Sequence, residues 1–483
     1  MASTTGPSAG RDGTGHAVVL GGGSAGMLAA WVLAPHFARV TVVERDELPA
    51  GPDQRPGLPQ GLHNHLLLTA GYRALEKLLP GLGDELAAAG APRICWTSDA
   101  RMLLPGGWTP SFDSDLVSYS ASRGLIDWAV RRRVTAQPQV HVLGRHRATG
   151  LLLDTAANRV RGVEVAPVGE ASGLVPGQQI EADLVVDATG RSSRLPEWLD
   201  RHGLPTPPET VVNSRLGYAT RWFAAPAGFQ ADWKAILINN RPPSLARGGV
   251  LLPVEGDRWV VTLGGMGQHA APTDEAAWWE FAGSLASPLL AEAARLATPW
   301  GPVRGYRRTE NRWRHYERLR MPANLVVTGD AACAFNPAYG QGLTVNALAA
   351  LALRECLADG QPRPEDRFHR RFARIARVPW DVALGEDVRW PETEGMRPTA
   401  VNRLMYRYMG RLLRVAPGDV QLCRMFLEVM HLTRQPTELL RPNVLRRVWR
   451  PASGTRTGTD VPLPPSRPVA PTEQNENEVP HEV

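Results

Sequence analysis

Residues 17–20 form a short apolar run, Ala-Val-Val-Leu, that passes directly into Gly21-Gly22-Gly23-Ser24-Ala25-Gly26 and then into a helical pattern over 27–33. No other feature constrains the fold as tightly. A short unbroken apolar run reads as a strand buried on both faces, and a glycine turn between it and a helix opens a βαβ unit. Gly21 permits the tight turn, Gly23 lets a bound group approach the backbone, and Gly26 lets the helix lie close on the strand. A second strand over 40–43 ends in Glu44, eighteen residues after Gly26, with Arg45 beside it. A helix N-terminus behind Ser24 and Ala25 suits a pyrophosphate, and a carboxylate at Glu44 suits an adenosine ribose while repelling a 2′-phosphate. Together these residues imply an adenine dinucleotide. They do not separate NAD from FAD.

The discriminating segment comes some three hundred residues later. A strand over 324–328 ends in Gly329-Asp330, and the chain continues through Asn336-Pro337-Ala338-Tyr339-Gly340-Gln341-Gly342 into a helix from Leu343. Asp330 can hydrogen-bond a ribityl hydroxyl, and glycines at a helix start let backbone N–H groups approach the flavin N1 and C2 carbonyl. The positive helix end favours an anionic reduced flavin. An NAD enzyme has no evident use for this second anchor, so the dinucleotide reads as FAD; a plain scaffold strand and Gly-rich turn is the alternative. Gly264-Gly265-Met266-Gly267 follows a strand but has no ribose-binding carboxylate after it, so NADPH or NADH is expected to dock only transiently.

The expected fold is α/β: a discontinuous Rossmann-like FAD-binding domain with an inserted, mostly antiparallel β-sheet substrate domain and C-terminal helices. Residues 15–75, 115–204 and 321–360 are assigned to the FAD domain, and 76–114 and 205–320 to the substrate domain. Within the first, strand–helix units are expected at 16–45, about 115–200 and 324–358. Within the second, β-branched and aromatic runs occupy 216–223 and 235–238, and 249–254 with 258–263 flank Glu255-Gly256-Asp257 as a hairpin. A helix over about 274–286, capped by Thr273, follows. Residues 361–450 read as helical, with Arg403, Arg407, Arg411 and Arg414 opposite Leu404, Tyr408 and Leu412, as in an amphipathic helix packed on the body. Residues 1–14 read as a flexible leader and 451–483 as a disordered tail.

Composition excludes several classes. At 483 residues, 43% hydrophobic and 21% charged, the chain is ordinary for a globular protein with a large core. The net charge of +6 is almost all Arg, and no basic stripe interleaves with aromatics; Arg131-Arg132-Arg133 reads as a solvated helix face, so no nucleic-acid partner is expected. Cys95, Cys333, Cys356 and Cys423 lie far apart with no C-x-x-C, which points to reduced thiols in a cytoplasm and to no metal site. No secretory signal is visible, and the longest apolar stretch, 343–353, is too short to span a bilayer.

At the level of motifs, the glycine fingerprint and the late Gly-Asp followed by Pro-x-x-Gly resemble the flavoprotein monooxygenases related to para-hydroxybenzoate hydroxylase, over about residues 16–358. More narrowly, Arg55-Pro-Gly-Leu-Pro-Gln-Gly-Leu-His-Asn-His65, Asp183-Leu-Val-Val-Asp-Ala-Thr-Gly-Arg191, Leu252-Pro-Val-Glu-Gly-Asp-Arg-Trp259 and Asn336–Gly342 resemble actinobacterial FAD-dependent epoxidases of polyether biosynthesis, the lasalocid and monensin type. The sequence departs from them at Leu62, where the epoxidases carry Arg, and the hydroxylases' mid-chain Asp-Gly is here Asp187-Ala188-Thr189-Gly190. The resemblance implies that Arg123 lies near the FAD pyrophosphate, that Pro337, Gly340, Gln341, Gly342 and Leu343 lie by the flavin, and that His63 is flavin-side or structural. It further implies NADPH or NADH as reductant and a flavin C4a-hydroperoxide formed with O2. That species would oxygenate an apolar alkene-containing or aromatic intermediate, polyketide or terpenoid-like, as in antibiotic biosynthesis. No catalytic side chain is assigned, because the cofactor carries the hard chemistry. An isoprenoid-type flavin-dependent reductase and a non-catalytic FAD-binding assembly partner are the alternatives, and no Trp-x-Trp-x-Ile-Pro segment marks a halogenase.

Overall fold

The computed structural model describes residues 14–169 and 177–449. The tail at 451–483 and residues 1–13 of the leader lie outside the described residues. Five strands form one parallel sheet in the order Leu325–Val327, Leu184–Asp187, His16–Leu20, Arg39–Val43, Val140–Leu143. Its three central strands are apolar and buried almost throughout, as a sheet covered on both faces requires. The helices Ser24–Leu33, Arg123–Thr135 and Gly342–Ala358 pack with it into the main core. The sheet draws strands from three widely separated stretches of sequence, and its centre is the strand that carries the first glycine turn.

The stretch at about 115–200 supplies the helix Arg123–Thr135 and two strands of the parallel sheet, and between those strands it carries an unexpected addition. His146–Asp154, Arg159–Pro167 and Gln178–Glu181 form a separate three-stranded antiparallel sheet. Asn158 sits at φ 44° in the first reversal, a left-handed conformation that asparagine tolerates in a tight turn.

The inserted sheet has seven strands in the order Thr298–Tyr306, Leu216–Ala224, Arg258–Met266, Arg247–Val254, Ala235–Ile238, Ala100–Leu104, Gly107–Trp108. All pairings are antiparallel except Ala235–Ile238 with Ala100–Leu104. The hairpin turns through Gly256 and Asp257, both at positive φ. The helix that covers this sheet is Glu275–Gly283, and its cap is the Asp274 side chain accepting from Ala277 N at 3.0 Å, not Thr273. A carboxylate at that position also complements the helix dipole, which a threonine cannot. Gly264, Gly265 and Met266 lie inside the strand Arg258–Met266 instead of following it. A Cβ at Gly265 would fall 1.8 Å from the His269 carbonyl oxygen, so that glycine serves the close return of the chain.

Two further expectations are corrected in part. Arg131 is buried and donates to the Pro49 and Gly51 carbonyls, whereas Arg132 is exposed as expected and pairs with Glu85 together with the half-buried Arg133, so only Arg131 departs from a solvated face. In the helix Ala400–Val415, Tyr408 and Leu412 are buried and Met405 is partly buried against the same core, but Leu404 is 69% exposed and does not share that face. The four cysteines are buried and unpaired. Among the described residues no helix is long and apolar enough to cross a membrane.

Two buried histidines act as acceptors for backbone N–H groups: His369 Nε2 for Val327 at 3.0 Å, and His431 Nδ1 for Thr69 at 3.3 Å. Burial lowers His369 to about 4 and His431 to about 3, against 6.5 in an exposed chain. Below pH 6.5 the unfolded chain takes up these protons first, so stability falls on acidification, by about 1.4 kcal/mol per pH unit and per histidine. Urea midpoints measured from neutral pH down to about pH 5 should show this slope, and His369→Gln with His431→Gln should lessen it. An unchanged slope in that double variant contradicts the assignment.

Candidate functional site

The first glycine turn is closed from two sides. Gly21 stands at φ 97°, and a Cβ on it would lie 2.6 Å from the Ala188 carbonyl oxygen at the end of the neighbouring strand. A Cβ on Gly26 would lie 1.8 Å from the Gly21 oxygen, so the helix rests on its own entry turn. Glu44 is buried and accepts from Gly22 N at 2.6 Å, Asp46 N at 3.0 Å and Arg55 Nη1 at 2.8 Å. Arg55 also runs alongside Gly23, where its Nη2 would be 3.4 Å from an added Cβ. Arg45 turns away, its side chain mostly exposed and bonded to the Gly57 carbonyl at 3.0 Å.

The second anchor lands on the first. Asn346, in the helix Gly342–Ala358, donates to Ser24 Oγ at 2.9 Å, and Arg123 reaches the same oxygen at 3.3 Å. Gly329, at φ 62°, faces Ala25 so closely that a Cβ would approach the Ala25 methyl to 2.7 Å. Arg123 is buried and paired with Asp127 at 2.8 Å, so it is not a surface arginine. Ser24, Ala25, Arg123, Gly329 and Asp330 therefore belong to one locus although the sequence spreads them over three hundred residues.

Asp330 lies 3.6 Å from Arg191 Nε; that guanidinium also donates to the carbonyls of Glu310 and Phe335. Desolvation lifts the Asp330 carboxyl above its ordinary value, while Arg191 and Arg123 pull it down. Beyond it, Pro337 begins a single helical turn that ends at Gly340, φ 64°, packed against Leu66. Gln341 is buried with its Oε1 unpartnered, Leu343 is buried, and a Cβ on Gly342 would meet nothing within 4 Å. The helices Ser24–Leu33 and Gly342–Ala358 both start without a side-chain cap and without an acid in the first turn. Ser122, Asp274, Thr399 and Asp419 cap other helices, while Thr69–Leu78 also lacks both a cap and a first-turn acid. Open N–H groups at two converging helix starts, clear backbone at Gly342 and an unpartnered amide oxygen at Gln341 fit a dinucleotide that carries a pyrophosphate and a polar ring.

An aromatic wall adjoins this locus. The His63, Tyr218 and Tyr306 rings touch edge-on or stacked, with centroids 4.8–5.8 Å apart. Tyr306 feels the charges of Arg191 and Asp330. His63 Nδ1 pairs with Thr220 Oγ1 at 2.7 Å, and burial lowers the ring to about 4, so it is neutral. The carbonyl of Leu62 accepts from Trp222 Nε1 at 2.7 Å, and Asn64 donates to Val250 O, which sutures residues 62–64 to the seven-stranded sheet. Sequence reasoning missed Arg55, Arg191, Tyr218 and Tyr306 as site residues. Arg55 and Arg191 stand at the ends of two motifs quoted above, which was the available signal.

No protein-family model matches the chain. Among solved structures, the flavin-dependent brominase Bmp2 superposes with a TM-score of 0.62 at 13% identity, over 90% of this chain and 97% of that one. PqsL of Pseudomonas aeruginosa, described as a probable FAD-dependent monooxygenase, gives 0.55 at 17% identity, over 85% and 98%. The fold is thus the Rossmann-type architecture of FAD-dependent halogenases and monooxygenases. Protein Rv3254 of Mycobacterium tuberculosis is 34% identical over 347 residues, 71% of this chain and 73% of its own length, and the chain belongs to the same family as that protein.

Proposed function

We propose that the protein is an FAD-dependent monooxygenase, an epoxidase or hydroxylase acting on an apolar alkene-containing or aromatic small molecule. One observation carries the reading: the two glycine-rich anchors converge, joined through Ser24 to Asn346 and through Ala25 to Gly329. In this assignment Gly21, Gly23, Ser24, Ala25 and Gly26 hold the pyrophosphate with Arg123, and Glu44 takes the adenosine end, while Arg45, turned to the Gly57 carbonyl, has no part in it. Asp330 holds the ribityl chain, and Pro337, Gly340, Gln341, Gly342 and Leu343 hold the ring. When bound, FAD supplies electron transfer from NADPH or NADH and the activation of O2.

The chain's own part is to orient and to exclude water. Burial pushes the Tyr218 and Tyr306 hydroxyls up, so both stay protonated at neutral pH. With neutral His63 they offer the substrate an apolar wall with hydrogen-bonding edges and no charge. Four buried, unpaired cysteines suit a reducing cytoplasm.

Purified protein is expected to carry FAD, to oxidise NADPH or NADH with uptake of O2, and to add one oxygen atom to its substrate. Expression of the neighbouring biosynthetic genes with and without this one, compared by product mass, checks the last point. Turnover without O2 uptake identifies a reductase, a halogen in the product a halogenase, and FAD that neither nicotinamide bleaches an assembly partner. Each of these overturns the proposal.

A further inference from the structure

We infer that Asp387, far in sequence from every motif, is a positioning residue that fixes the Asn336–Gly340 loop and thereby the ring-binding end of the site. The inference rests on the flavoprotein reading above.

Asp387 ends the long helix Pro364–Asp387 and is fully buried. Its Oδ2 accepts from Asn311 Nδ2 at 2.6 Å, its Oδ1 accepts from the Tyr339 hydroxyl at 2.7 Å, and Asn336 Nδ2 lies 3.2 Å from both oxygens. Three donors from two other segments therefore converge on one carboxylate. Two of these donors belong to the loop itself, on either side of Pro337.

The network selects a carboxylate at 387. Asn336 Oδ1 accepts from Ala338 N at 3.1 Å, and Asn311 Oδ1 accepts from Asn336 N at 2.7 Å. Neither amide can flip without losing a backbone bond, so both must turn their NH2 groups toward residue 387. A carboxylate, which only accepts, satisfies them; an asparagine would set one NH2 against another. The carboxylate thus dictates the amide orientations, and Asn336 in turn holds Ala338 inside the turn that leads to Gly340 and Gln341. The backbone segment assigned to the flavin is thus fixed by a residue of another helix, through Asn336 and Tyr339.

The test compares Asp387→Asn and Tyr339→Phe with wild type in three readouts: FAD dissociation constant, flavin midpoint potential, and apoprotein melting temperature. FAD affinity should fall about tenfold or more in Asp387→Asn, the size of one charge-assisted hydrogen bond, and several-fold in Tyr339→Phe. The midpoint potential should shift in both. A second substitution, Asn336→Asp in the Asp387→Asn background, exchanges the donor and acceptor roles and should recover FAD affinity. Asp387→Asn that melts lower yet binds FAD with wild-type affinity and potential makes the residue merely structural and overturns the inference. So does a double variant no better than the single, if Tyr339→Phe is also silent. Wild-type protein that takes up no FAD overturns the flavoprotein reading and this inference with it, whereas the preceding outcomes overturn the inference alone.

Discussion

Gly26→Ala is expected to give a protein that either fails to accumulate in soluble form or melts far below wild type, and that holds no FAD. The added methyl would sit 1.8 Å from the Gly21 oxygen, 3.0 Å from the Gly21 carbonyl carbon and 3.3 Å from Val19 Cγ1. None of these can move cheaply. Gly21 is held at φ 97° by its own bond to the Val43 carbonyl at 2.8 Å, and Ala188 closes on it from the adjacent strand. The helix Ser24–Leu33 would have to lift off the central strand of the parallel sheet, and overpacking of this kind costs about 1–3 kcal/mol where side chains yield and more where backbone must. Gly342→Ala is the matched control. A Cβ there meets nothing within 4 Å, and alanine is the better helix former, so stability should stay within about 0.5 kcal/mol of wild type while FAD affinity drops. Thermal melts and flavin content of the two proteins separate the roles. A Gly342→Ala protein as unstable as Gly26→Ala would show that both glycines serve packing alone.

That contrast marks what the sequence could convey. Gly21, Gly26 and Glu44 were legible because strand, turn, helix and acid follow one another within thirty residues, and local chemistry settles each role. Strands buried on both faces are continuous apolar runs, and the hairpin at Glu255-Gly256-Asp257 has its own turn residues, so both sheets could be anticipated. The tight caps were less legible: Thr273 and Asp274 are adjacent and both competent, and only the φ and ψ of the chain choose between them. Burial was less legible still. Arg131 reads as solvated by composition, yet its neighbours Pro49 and Gly51 are eighty residues away. Arg55 meets Glu44 only eleven residues away, but nothing in the spacing marks that pair; Arg191, Tyr218, Tyr306 and Asp387 owe their roles to long-range contacts, and Asp387 meets its donors across separations of 48–76 residues with no period or spacing to mark it.

Removing Glu44 should have an effect comparable to crowding Gly26, by the opposite route. The side chains of Glu44 and Arg55 are only 6% and 10% exposed, and the pair is 2.8 Å apart. Glu44→Ala leaves the Arg55 guanidinium buried with Asp46 at 3.9 Å as its nearest remaining carboxylate, and strips the acceptor from Gly22 N and Asp46 N. Breaking a buried pair from one side costs about 3–5 kcal/mol, most of it the charge left behind. Glu44→Gln keeps one acceptor and should fall between. The acid limb identifies the interaction. Burial pushes the Glu44 carboxyl up, but Arg55 and the two backbone donors outweigh it and hold the group below its ordinary value. A lowered folded-state pKa means the contribution is complete above the unfolded value, about 4.3, and is lost only as pH falls through the folded one. This window lies beneath that of His369 and His431, which opens at 6.5. Stability curves of Glu44→Ala should therefore run parallel to wild type down to about pH 4, several kcal/mol lower, and converge with it only at more acid pH. Convergence already between the histidine and carboxylate ranges, or a loss under about 1 kcal/mol at neutral pH, would mean that the Arg55 pair opens to water and contributes like a surface ion pair.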